Sequence, residues 1–295
     1  MPLTIERAPA EQASVARAIA GVAAPYGPVF EAERARTAAV PRERLGTAEC
    51  MVEYYAYRRD FIPTLHAQAL DCFERVTRSE PGRADAWAGL ALVYIDAYAY
   101  GFTVDTNGEK SALDSAREAA RRAMDIDGER LFANLALARV QFFSRTDFRR
   151  TAEQAIALRP NSAEALSLVG TMLALTGDVV QGREMIDRAI ELSPRPPGSY
   201  FAGKALAHVG AREYDAALAA ALRIDAPNWL MGHTIVASTA ALAGRPDIAA
   251  RESQRVRELS AASPQDTATA VQRWPIYEEL RQEFRRGLAE ASGTQ

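Results

Sequence analysis

Two prolines 34 residues apart, Pro160 and Pro194, bracket a pattern that admits few folds. Between them Leu166, Val169, Gly170 and Leu173 fall at helical spacing, and Gly182, Ile186 and Ala189 do the same further on. Residues so spaced share one face of an α-helix. Thr176-Gly177-Asp178 supplies a tight turn between the two sets, with glycine free to take a positive φ. Pro194 ends the second helix, since proline has no N–H to continue it. The unit is a helical hairpin that cannot bury its apolar face alone, so copies must stack on it.

Such copies follow along the chain. Ala69, Phe73, Val76 and Pro81 repeat the intervals from Gly182 to Pro194. Trp87, Leu90, Ala91 and Tyr94 repeat those of the Leu166 set, with Ala116, Ala120 and Ala123 on the partner helix. A degenerate copy holds Phe132, Leu135 and Ala136 but places Arg139 where an apolar residue is expected. Phe201, Ala205, Ala217 and Leu218 mark a fifth, with Lys204 and His208 in place of apolar residues; Val236, Ala237, Ala240 and Ala249 mark a sixth. The pattern predicts an all-α fold, a right-handed superhelical solenoid of antiparallel helix hairpins. Residues 1–45 form an N-terminal helical extension. Residues 46–264 hold about six hairpins, with an insertion at 98–111. Residues 265–295 are a charged capping helix and frayed tail, because terminal units need a polar outer face.

The 34-residue period and the aromatic, small and proline positions resemble the tetratricopeptide repeat. A narrower likeness rests on Glu53-Tyr54-Tyr55-Ala56-Tyr57-Arg58-Arg59, Cys72-Phe73-Glu74-Arg75-Val76 and Asp85-Ala86-Trp87-Ala88-Gly89-Leu90-Ala91 with Tyr94. These blocks resemble the repeat region of bacterial adenylate cyclase-type and winged-helix transcriptional regulators. Gln12 to Arg36 is similar to the end of the TolB-like segment that joins their modules. The resemblance implies a regulatory setting. Neither a cyclase nor a winged-helix module fits into residues 1–45, so it implies neither activity here.

A nucleophile elbow, a phosphate loop, H-E-x-x-H and C-x-x-C are all absent, and His66, His208 and His233 are too scattered for a local metal motif. No catalytic residue, metal site or cofactor is predicted. A net charge of −3 gives no global pull toward nucleic acid or an anionic membrane, and neither is expected as a partner. The uncharged run from Ala226 to Gly244 contains Pro227, Asn228, His233, Thr234, Ser238 and Thr239, which suits a buried repeat helix better than a membrane span. No secretory leader is evident, because Glu6, Arg7 and Glu11 interrupt any apolar run. Cys50 and Cys72 admit a disulfide, but two buried thiols in a reducing cytoplasm are the favoured reading, and the expected location is cytoplasmic.

The first helix of each hairpin lines the concave side in this architecture. Side chains there off the packing positions make the candidate partner-binding surface: Tyr55, Arg58, Ile95, Asp96, Tyr98, Asn134, Gln141, Ser167 and Thr171. Arg58 and Arg139 offer donors for a carboxylate. The tyrosines at 54, 55, 57, 94, 98 and 100 combine contact area with hydroxyls, although Tyr94 sits at a packing position. The leading expectation is a non-enzymatic scaffold that holds a protein or peptide in its concave groove. The alternative is a small-molecule sensor built from the tyrosine cluster and the 98–111 insertion.

Overall fold

A computed structural model describes residues 26–102, 111–262 and 272–293; most of the 98–111 insertion and the start of the Gln12–Arg36 segment lie outside these. Among the described residues every regular element is helical. Helix α1 (Pro28–Thr37) leads through a 3₁₀ turn into hairpins formed by α2 (Thr47–Asp60) with α3 (Pro63–Ser79) and α4 (Ala84–Tyr100) with α5 (Ala112–Ile126). There follow α6 (Leu131–Phe143) with α7 (Arg149–Leu158), α8 (Ala163–Leu175) with α9 (Val179–Leu192), α10 (Gly198–Gly210) with α11 (Tyr214–Ala221), and α12 (Leu230–Leu242) with α13 (Pro246–Ala262). A last helix, α14, runs from Glu278 to Ala291. The hairpins stack into a solenoid with a main core that runs along the array and a smaller cluster of Ala163, Leu166, Ala189, Leu192 and Tyr200.

Local chemistry explains the breaks. Pro28 and Pro63 open α1 and α3, where a missing N–H has no intrahelical partner to lose. Ser111 and Ser162 cap α5 and α8 by accepting the N–H groups of Asp114 and Ala165. Gly177, at φ +105°, turns α8 into α9. The two helices then meet backbone to backbone: a Cβ on Gly170 would lie 2.6 Å from the Gly182 carbonyl oxygen. That contact needs glycine on both sides.

Cys50 and Cys72 form a disulfide between α2 and α3, with Cα atoms 5.6 Å apart, and both residues are buried. This corrects the expectation of two thiols. The two positions face each other across the first hairpin, within ordinary disulfide reach. A disulfide is characteristic of oxidising surroundings, so the cysteines do not support a cytoplasmic location. No described helix is long and apolar enough to cross a membrane, and the Ala226–Gly244 run contains α12, buried under its neighbours.

The chain closes over its own concave side. Helix α14 packs on α12 and reaches α10, the first helices of the last two hairpins. Ser238 donates its hydroxyl to the Phe284 carbonyl at 3.1 Å. Just before α14, the Tyr277 N–H reaches the Leu175 carbonyl at 2.9 Å, the Trp274 indole N–H the Ala99 carbonyl at 2.9 Å, and Arg273 the Tyr98 carbonyl at 2.9 Å. The C-terminal segment is therefore strapped to the C-terminal ends of α4 and α8.

Candidate ligand cavity

Curvature brings the first and last hairpins together at the centre. Phe61, at the end of α2, stacks on Trp229, at the start of α12, and Tyr100 packs edge-on against both rings. Beneath this bridge lies a cavity with about 60 Å³ of room for the centres of water-sized molecules. Arg58, Tyr100 and Arg139 form its polar end, with Glu164, Ser199 and Tyr200 beside them; Phe142, Met172, Leu175 and Leu206 give it an apolar wall.

The polar end is held by a buried ion cluster. Arg139 donates to Asp96 Oδ1 at 2.5 Å, Arg58 approaches the same oxygen at 3.5 Å, and Arg58 also donates to the Tyr100 hydroxyl at 3.0 Å. Asp96 is fully buried, and its Oδ2 has no partner among the described residues. Burial works against the Arg58 charge, but Asp96 and the surrounding tyrosines override it and hold the guanidinium firmly protonated. The Phe61 and Tyr100 rings lie 4.9 and 5.8 Å from its Cζ and add cation–π attraction. Burial raises the Glu164 carboxyl above its ordinary range, a shift that Arg58 partly opposes; Tyr200 donates to it at 3.2 Å. Burial likewise raises Tyr200, with Glu164 adding to the effect, so its phenol stays protonated. Trp229, only 3% exposed, has no partner for its indole N–H among the described residues.

The candidate surface divides on these terms. Arg58, Ser167 and Thr171 line the cavity, and Asp96 anchors it from behind. Tyr98 lies at the strap, its carbonyl taking Arg273 and its ring edge-on to Phe143. Tyr55 packs among Tyr26, Phe30 and Phe132 near the N-terminal end. Ile95 is wholly buried, and buried Asn134 donates its amide to the Gly128 and Arg130 carbonyls, tying down the start of α6. Gln141 is half-buried, with its Oε1 unpartnered among the described residues. Glu164, Tyr200, Trp229 and Trp274 escaped sequence reasoning; each stands at a helix start or in a connecting segment, where it reads as a cap or a turn residue.

No three His, Cys, Asp or Glu side chains among the described residues are grouped to hold a metal ion. His208 and His233 pair with Glu213 and Glu252 at 2.6 and 2.7 Å, and His66 bonds the Val93 carbonyl at 3.0 Å. Burial lowers the pKa of His66, which keeps it neutral.

No protein-family model and no curated protein matches this sequence. Solved structures do. The human IFIT1 dimer with m7Gppp-AAAA superposes with a TM-score of 0.59 at 12% identity, covering 83% of this chain and 62% of IFIT1. The Cut9–Hcn1 hetero-tetramer of the APC/C gives 0.52 at 16% identity, covering 88% of this chain and 46% of the other. TTC0263, a thermophilic TPR protein of Thermus thermophilus, gives 0.44 at 16% identity over 65% of this chain and 91% of its own. This chain thus spans less than two thirds of the IFIT1 and Cut9–Hcn1 chains it matches. With its stacked hairpins, it has the fold of a tetratricopeptide-repeat solenoid, right-handed and all-α.

Proposed function

We propose that this chain is a non-enzymatic binding module that takes a small ligand into the interior of its superhelix. The Phe61–Trp229 bridge over the Arg58–Arg139 cavity carries this proposal. An extended peptide threading the concave groove, the leading expectation from sequence, would compete there with the strap that bonds Trp274 to Ala99. The sensor alternative fits better, with the site moved from the 98–111 insertion to the centre of the coil. The resemblance to the repeat half of bacterial regulators supports a regulatory setting, in which occupancy rather than turnover is the signal. A thermal-shift screen of small metabolites tests it: a ligand at a hundred times its Kd should add about 2.7 kcal/mol of stability. A flat screen across acids, amines and neutral molecules would overturn it.

A separate observation favours a protein partner elsewhere. An open, mostly apolar groove of about 690 Å³ runs between α1, α2 and the start of α6, lined by Val29, Met51, Val52 and Phe132, with Val29 49% exposed. A peptide selected against the protein should lose binding to Val29→Asp if this face serves; indifference to that change would remove it. Nucleic acid was set aside on net charge alone, and the fold does not uphold that, since IFIT1 structures hold RNA.

A further inference from the structure

The structure assigns the interior cavity to a short aliphatic monocarboxylate, with the carboxylate between Arg58 and Arg139 and the hydrocarbon against Met172, Leu175 and Leu206; this rests on the interior-ligand proposal above.

The charge arrangement comes first. Two buried guanidiniums converge on a single oxygen of Asp96 and on no other carboxylate among the described residues. Arg58 and Arg139 are 7% and 4% exposed, and each spends only one of its terminal nitrogens on the contacts described. A guanidinium carries five donors in a planar fork that fits a carboxylate with two parallel bonds. Both side chains line the cavity, and a small anion there would add a partner for the nitrogens that Asp96 and Tyr100 do not use. Glu164, the other acid facing the cavity, accepts from Tyr200 and pairs with neither arginine. Trp229 adds a second, independent sign. Its side chain lines the cavity and its buried indole N–H is unpartnered among the described residues, a donor that an acceptor on the ligand would complement once the ring gives way slightly.

Size and the opposite wall narrow the class. A single water needs roughly 10–15 Å³ of occupied volume, and the space open here to the centres of water-sized molecules alone exceeds that several-fold, so the cavity has room for a small organic ligand and not only one water. Beside its hydroxyl donors the lining carries Leu168, Met172, Leu175 and Leu206, which cannot solvate the oxygens that a phosphate or sulfate points in all directions. A three- or four-carbon acid has a charged end and an apolar end, as the cavity has.

Isothermal titration calorimetry on the full chain decides the matter, with butyrate as probe and butyramide, butylamine and inorganic phosphate as comparisons. Butyrate should bind at least tenfold tighter than the other three. Trp229→Phe, which keeps the stack on Phe61, should weaken butyrate about three- to tenfold through the lost hydrogen bond. Leu206→Phe, which fills the apolar end, should abolish binding while its unfolding midpoint stays near that of the wild type. If butyramide or phosphate binds as well as butyrate, the carboxylate assignment falls while the interior site stands. If butyrate binds equally to Leu206→Phe, the ligand sits elsewhere and the interior reading falls as well. If butyrate does not bind but a screened molecule does, and Leu206→Phe blocks it, only the assignment of ligand class is overturned.

Discussion

Phe61 and Trp229 stack with ring centroids 4.1 Å apart and planes 11° from parallel, across 168 residues of sequence. Phe61 also ends α2 in the left-handed conformation, φ 51°, which a bulky residue rarely adopts, while its N–H still bonds the Tyr57 carbonyl. Such a backbone persists only where its surroundings over-determine it. Here Trp229, Tyr57, Tyr100 and the Arg58 guanidinium surround the ring. Phe61→Ala should therefore cost about 3–5 kcal/mol, the usual range for a buried phenylalanine. Urea unfolding measures it, and a midpoint within error of the wild type would mean that the two ends of the coil do not close through this contact.

Asp96 is the hub on which both arginines depend. Removing one member of a buried ion cluster leaves the rest uncompensated, so Asp96→Ala should destabilise by about 3–5 kcal/mol. Replacing the triad together, as Arg58→Met, Asp96→Ala and Arg139→Leu, should recover much of that loss. Chemical denaturation of the single and triple variants separates the cases. A triple variant no more stable than Asp96→Ala would show that the cluster stabilises by more than charge balance.

Helices α8 and α9 meet backbone to backbone at Gly170. Gly170→Leu would drive its side chain into the Gly182 carbonyl and the Met185 and Ile186 side chains, all within 3.0 Å of a Cβ there. Overpacking of this kind costs about 1–3 kcal/mol. A melting temperature unchanged by the substitution would mean that α8 and α9 are not in this register.

The disulfide closes a loop between residues 22 apart, which by the chain-entropy estimate stabilises by about 3 kcal/mol. Unfolding in urea with and without a reductant should show a gap of that order. Because Cys50 and Cys72 are buried, reduction should be slow in native buffer and fast near the midpoint. Equal stability in both conditions would mean that the bond contributes nothing to the fold.

The solenoid was legible because its signal is local. Gly170 and Gly182 each belong to a helically spaced set within one hairpin, and the intervals of those two sets recur from Trp87 and from Ala69. Half of the cavity was legible too: Arg139 broke an apolar pattern, and a misfit charge inside a repeat asks for a partner, which is Asp96. The closure was not legible. Phe61 and Trp229 lie in connections, outside any period, and their meeting depends on curvature summed over six hairpins. For the same reason residues 265–295 read only as a cap, although the Trp274 indole among them bonds the Ala99 carbonyl of the second hairpin.

Glu164 gives the cavity a pH signature. Burial raises its carboxyl above the ordinary value of 4.5, with Arg58 and the Tyr200 hydroxyl opposing the shift. A raised acid binds its proton more tightly in the folded chain than in the unfolded one. Its contribution is therefore favourable at low pH, and the fold loses stability from this group as pH rises through 4.5 and beyond, because the buried site resists the charge that the unfolded chain accepts freely. Glu164→Gln keeps the shape and removes the titration. The variant and the wild type should melt alike near pH 4, and the variant should be the more stable of the two at pH 7, with the gap opening between. Exposed Asp114, Glu213 and Glu258 are shifted the opposite way by their hydrogen bonds, but they are common to both proteins and cancel in the difference. A wild type more stable than Glu164→Gln at pH 7 would show that the carboxylate is ionised and paired with the arginines, and the cavity would then have no spare positive charge for a ligand.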